Sequence, residues 1–176
     1  MTRLMMAGSV MVLALSAGAN GQAPTPKAQP THPGFEKLKS MVGTWGEADK
    51  DGKPTAKVVS VVKLSAGGSA VHETTFPGTD MEMVSVYHRD GADVVMTHYC
   101  MLGNQPRLKL DAKSSPNQLQ FKFTGGSNLD VTKDMHMHDA TYTFVDADHV
   151  EISGVAWVDG KPAPDHCGTM KLVRKK

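Results

Sequence analysis

The feature that most constrains this chain is a train of short β-branched and apolar runs punctuated by turn dipeptides. The runs cover residues 57–64, 70–76, 81–88, 93–101, 108–112, 119–124, 135–145, 150–158 and 169–173. Asp51-Gly52 stands ahead of the first run, and Gly67-Gly68, Pro77-Gly78, Asp90-Gly91, Gly125-Gly126 and Asp159-Gly160 stand between later ones. Glycine at these points supplies the positive φ that tight hairpin turns require. Nine or ten antiparallel strands at such spacing predict an all-β domain, a meander closed into a barrel or folded as a sandwich. Helical spacing occurs once, where Phe35, Leu38 and Met41 or Val42 recur and stop at Gly43. That pattern predicts a short helix of about two turns ahead of the first strand, ended by a residue that tolerates positive φ.

The segment ahead of this helix has a different composition. Met1-Thr2-Arg3 is basic, residues 4–19 are uncharged and mostly apolar, and Ala17-Gly18-Ala19 and Gly21-Gln22-Ala23 offer small residues for a signal peptidase. An uncleaved membrane anchor is the competing reading. The stretch is short against the roughly 20 apolar residues of a span, and Gly8, Ser9, Ser16 and Gly18 dilute it. The expectation is a signal peptide over 1–23, a proline-rich tether over 24–34 carrying Pro24, Pro26, Pro30 and Pro33, and one domain over 35–176. Export, periplasmic or secreted, follows. In an oxidising compartment Cys100 and Cys167 can pair in one disulfide. Lysine and arginine (19) balance aspartate and glutamate (18), so no global field draws in nucleic acid.

One hairpin can be written residue by residue. With Asp90-Gly91 as a two-residue turn, Tyr87 faces Val94, Ser85 faces Met96, Met83 faces His98 and Met81 faces Cys100, all on one side of the sheet. The other side carries Glu82, Val84, Val86, His88, Asp93, Val95, Thr97 and Tyr99. The methionine, histidine and cysteine side is expected to point inward.

Histidine and cysteine are the residues able to carry chemistry. His98 and Cys100 lie two apart on a strand and leave the same face, and His136 and His138 repeat that geometry. Together the four offer enough nitrogen and sulfur for Zn²⁺ or a similar ion; the plainer reading is a buried thiol and histidines with local hydrogen bonds. Glu73 follows His72 and is the only acidic residue of its run. It reads as a pocket residue, as an exposed strand residue or as a partner of Arg107, which near a barrel mouth can hold a ligand carboxylate. Tyr99, His98 and Glu73 are the residues from which an acid-base group could be assembled. No nucleophile elbow, phosphate loop or paired-carboxylate motif appears, which favours binding over catalysis.

At Val42-Gly43-Thr44-Trp45 the sequence resembles the calycin superfamily of lipocalins, fatty-acid-binding proteins and nitrobindin-like barrels, with Gly-x-Trp opening the first strand and Arg174 in the last. The resemblance spans about 35–174 and is nearest to exported bacterial lipocalin-like domains, on Thr97-His98-Tyr99-Cys100, Gly103-Asn104-Gln105-Pro106-Arg107 and His136-Met137-His138. It implies a meander barrel in which Trp45 closes one end against Arg174, and it brings no established activity. In a nitrobindin-like barrel His166 would stand near the haem-ligating position. Trp45-Gly46-Glu47 runs on into Ala48-Asp49 instead of the glycine-rich continuation of that family, which argues against haem. The combined expectation is an exported, non-catalytic barrel without cofactor, holding a small, partly apolar molecule among Met83, Tyr87, Met96, His98, Cys100, Glu73 and Arg107. A Zn²⁺ or haem protein, possibly enzymatic, is the alternative.

Overall fold

The computed structural model describes residues 30–166 and 168–176. The expected signal peptide, most of the tether and Cys167, hence the disulfide, lie outside the described residues. A short helix, α1 (Pro33–Lys39), leads into eleven strands: β1 (Gly43–Ala48), β2 (Pro54–Ser65), β3 (Ala70–Thr75), β4 (Met83–Asp90), β5 (Asp93–Tyr99), β6 (Gln105–Leu110), β7 (Gln118–Ser127), β8 (His136–Phe144), β9 (His149–Val158), β10 (Lys161–Pro162) and β11 (Thr169–Lys175). Neighbours in sequence pair antiparallel from β1 to β9, β9 pairs with β11, and β11 pairs with β1. The result is a closed ten-stranded meander barrel, with the two-residue β10 folded back on β9. Closure leaves the ten strands without a free edge. Among the described residues no helix is long and apolar enough to cross a membrane.

The helix begins at Pro33, inside the stretch expected to be tether. Proline suits the first helical turn because its fixed φ is already helical and its missing N–H is not needed there. His32 completes the cap by accepting the Gly34 N–H at Nδ1, 3.1 Å. α1 buries Phe35 and Leu38, and Met41 follows them into the core. Trp45 lies beneath, fully buried, its indole N–H donating to the Met41 carbonyl at 2.8 Å. The Arg174 guanidinium sits 4.3 Å from the Trp45 ring centroid and donates to the Val42 and Ser40 carbonyls at 2.7 and 2.9 Å. Gly43 between them has φ +142°, and a Cβ there would stand 2.7 Å from Arg174 Nη1. Glycine is therefore demanded twice, by the backbone angle and by the arginine.

The β4–β5 hairpin turns one residue later than its sequence suggests. Asp90 pairs with Asp93, so Gly91 and Ala92 form the turn and Tyr87 faces Met96, Ser85 faces His98 and Val84 faces Tyr99. Gly91 takes φ +59° while Ala92 does not appear among the positive-φ residues, the pattern of a turn that needs glycine only at its first central position. The expected pairs Tyr87–Val94, Ser85–Met96 and Met83–His98 are thus displaced by two residues. A displacement of two preserves the face. Tyr87, Ser85, Val94, Met96 and His98 are all buried.

Candidate functional site

Directly opposed residues of antiparallel neighbours share a face, so the register defines rows across the barrel interior. Val62, Glu73, Ser85 and His98 form one row over β2 to β5. Val71, Tyr87, Met96 and Leu108 form the next, toward α1. The second row is fully buried and apolar apart from the Tyr87 hydroxyl, whereas the first carries an acid, an alcohol and an imidazole. In an apolar interior each such group must find partners or cost free energy.

Glu73 finds three hydroxyls. Ser60 donates to Oε1 at 2.7 Å, Tyr87 to Oε2 at 2.6 Å, and Tyr142 reaches Oε2 from β8 at 3.3 Å. The two tyrosine hydroxyls are bonded to each other at 2.5 Å. Among the described residues no basic side chain pairs with this acid, which is 3% exposed. Tyr87, Phe121 and Tyr142 meet ring to ring, with centroids 5.7 to 6.1 Å apart. Arriving from β4, β7 and β8 to meet Glu73 on β3, these side chains form a floor across the barrel. Burial, and then the Glu73 carboxyl, push both tyrosine pKa values well above the usual 10.0.

His98 lies beside this floor, buried, with Nδ1 bonded to the Ser85 hydroxyl at 2.9 Å. Burial lowers its pKa to about 4, so the imidazole is neutral at physiological pH and can donate or accept according to its tautomer. Away from α1 the interior loosens. Met83 opposes buried Thr75 and Phe123 opposes buried Leu108, yet both are only half-buried, as are Met137 and Met170.

Several expected site residues do not join this interior. Arg107 is exposed between buried Pro106 and Leu108, because strand alternation turns it outward; it is neither a pocket residue nor a partner of Glu73. Tyr99 points outward for the same reason and is half exposed, which removes the acid-base group imagined with His98 and Glu73. Cys100 lies past the end of β5, half-buried, its N–H donating to the Asn104 carbonyl at the following turn. His166, the residue expected near a haem-ligating position, is exposed in a 3₁₀ turn, Pro164–His166. The four proposed metal ligands do not assemble: among the described residues no group of three or more His, Cys, Asp or Glu side chains is placed to hold a metal ion.

His136 and His138 do come together, with ring centroids 5.7 Å apart. A β-bulge in the β8–β9 ladder, between Met137 and Asp139, leaves His138 without an opposing residue. Phe123 packs on both rings at 4.9 Å, and Trp157 stacks on His138 at 3.9 Å and 11°. Burial lowers the His138 pKa.

Ser60, Tyr142, Phe121, Phe123 and Trp157 are not singled out in the reading from sequence alone, and Asn104 enters it only as part of the segment Gly103 to Arg107. Ser60 and Tyr142 lie within predicted strands, and alternation alone would have set Tyr142 inward once the β8–β9 loop was fixed. Asn104 lies in a turn, and nothing local marks it as buried. Among known proteins, no family model matches the chain and no curated protein matches it.

Proposed function

We propose that this is an exported, non-catalytic binding protein of the calycin kind, holding a small, partly apolar molecule in the half of the barrel beyond the Glu73–Tyr87–Tyr142 floor. The observation that carries the reading is the row Glu73–Ser85–His98, polar groups gathered on one inner wall beside apolar core residues. A few convergent polar groups in apolar lining are the composition of a small-molecule site. Met83, Phe123 and Met137 supply the apolar part, and thioether side chains repack readily around differing ligands. The calycin assignment is supported by the Gly43–Trp45–Arg174 closure, and export by the basic and apolar composition of residues 1–23.

The test uses N-phenyl-1-naphthylamine, a neutral apolar fluorophore, with protein purified from the exported fraction. Saturable one-to-one binding is expected, lost in Met83→Trp, which fills the loose half, and kept in Met81→Trp, on a side chain 48% exposed. Equal binding by both variants would contradict an interior site.

A further inference from the structure

The floor described above is fully bonded, but the first half of β8 is not. Of the five buried side-chain polar atoms without a hydrogen-bond partner among the described residues, four belong to Asn104, His136, His138 and Asp139. Native interiors leave few such atoms, and a concentration of them marks a missing partner.

The chemistry of each orphan is fixed by its anchor. A backbone carbonyl can only accept, so the His136 Nδ1 contact with the Asp134 carbonyl at 2.8 Å requires Nδ1 to carry the proton. In the neutral ring Nε2 is then a bare lone pair, on a side chain 1% exposed. The same logic orients Asn104, whose Nδ2 donates to the Met135 carbonyl at 2.8 Å, leaving Oδ1 as a buried acceptor on a side chain 4% exposed. Asp139 Oδ1 lies 3.5 Å from His138 Nδ1, so these two atoms face each other, and the other Asp139 oxygen is taken by Lys122. Two acceptors tied to the consecutive carbonyls of Asp134 and Met135 lack a donor. Beside them lie the rings of Phe123, His138 and Trp157.

We propose that Asn104 and His136 are the polar anchor of the ligand site, and that its ligand is a flat, largely apolar molecule bearing a hydroxyl or amino group. This rests on the binding function proposed above and adds a chemical class to it: donors are accepted, and molecules bearing only acceptors are refused. A hydroxyl donates its one proton to the His136 Nε2 lone pair, an amino group can serve Asn104 Oδ1 with its second N–H, and the flat body packs against the neighbouring rings. A site built to bond a donor discriminates strongly against an analogue lacking it, because the acceptors are then left buried and unpaired.

The experiment compares 2-naphthol with 2-methoxynaphthalene, the same body with the donor hydrogen replaced by methyl, by calorimetric titration of the full exported protein. Wild type is expected to bind 2-naphthol at least ten-fold more tightly, with the His136 Nε2 resonance shifting on binding in ¹⁵N spectra of the imidazoles. In His136→Phe, which keeps a ring and deletes the nitrogens, the preference is expected to fall to about two-fold or less. Equal affinities in wild type would overturn the donor specificity while leaving an apolar site standing. Binding of neither compound would overturn both readings. An unmoved His136 resonance, with a water bridging Asn104 and His136 in a crystal of the naphthol complex, would make the orphans a buried-water site and overturn the proposal. Zn²⁺ shifting the same resonance while 2-naphthol does not would overturn it in favour of a cation. The comparison of the two naphthalenes in wild type needs no variant to fold.

Discussion

Replacing Tyr87 with phenylalanine tests the floor of the barrel with almost no change of volume. The lost hydroxyl donates to Glu73 Oε2 at 2.6 Å and shares a bond with Tyr142 at 2.5 Å. Each buried bond contributes about 1 kcal/mol net, and leaving Oε2 with only the 3.3 Å contact of Tyr142 adds about 1 kcal/mol for an under-satisfied acceptor. The sum is about 3 kcal/mol, a large share of a small domain's stability. With a urea m-value of about 2 kcal/mol per molar, the midpoint falls by about 1.5 M. Tyr142→Phe loses the same shared bond and the weaker contact but leaves Tyr87 on Glu73, for about 1 kcal/mol to 2 kcal/mol. Tyr99→Phe, half exposed on the outer face, is expected to stay within about 0.5 kcal/mol of wild type. Equilibrium urea unfolding by circular dichroism ranks the three. A Tyr87→Phe midpoint within 0.3 M of wild type, or a Tyr142→Phe loss exceeding that of Tyr87→Phe, would refute the view that Glu73 is held chiefly by Tyr87.

Three further outcomes follow from the same geometry. His98 is buried with its pKa lowered to about 4 against an ordinary 6.5, so the unfolded chain takes up a proton that the folded chain refuses. Its contribution is intact above pH 6.5 and is lost as pH falls toward 4, about 3 kcal/mol in all, and urea midpoints of wild type and His98→Met at pH 7 and 4.5 should show a steeper loss in wild type, the variant keeping the smaller slope that His138 also contributes. Both Tyr87 and Tyr142 have raised pKa values, so absorbance at 295 nm should show them ionising only when the protein unfolds in alkali; their titration while circular dichroism remains native would contradict their burial. Arg174→Leu removes the bonds to Ser40, Val42 and Asp148 together with the Trp45 contact, for about 3 kcal/mol, and Arg174→Lys should recover less than half, since an ammonium cannot fork across several acceptors.

What could be read before folding and what could not divides along physical lines. Strand alternation and glycine-bearing turns operate over a few residues, so the meander, the short helix and the inward face of Tyr87, Met96 and His98 were legible. The pairing along β4–β5 was missed because Asp90-Gly91 and Gly91-Ala92 both make acceptable two-residue turns, and only the whole ladder selects the second. Glu73 stood out as the one acid of its run, but its partners come from β2, β4 and β8, up to 69 residues away. Arg107 and Tyr99 were assigned by chemical type where alternation already turned them outward. The pairing of Asn104 with the Met135 carbonyl joins a turn to a distant strand and leaves no local signal.

The measurement that tests the central claim most directly is a titration of protein labelled with [¹³C]methyl-methionine by N-phenyl-1-naphthylamine, followed in methyl correlation spectra. A molecule held beyond the floor should shift the methyls of Met83 and Met137 together and saturably at one equivalent, leaving Met41 under α1 and exposed Met81 and Met101 unmoved. Shifts confined to Met81 and Met101, or none at saturation, would contradict an interior binding site.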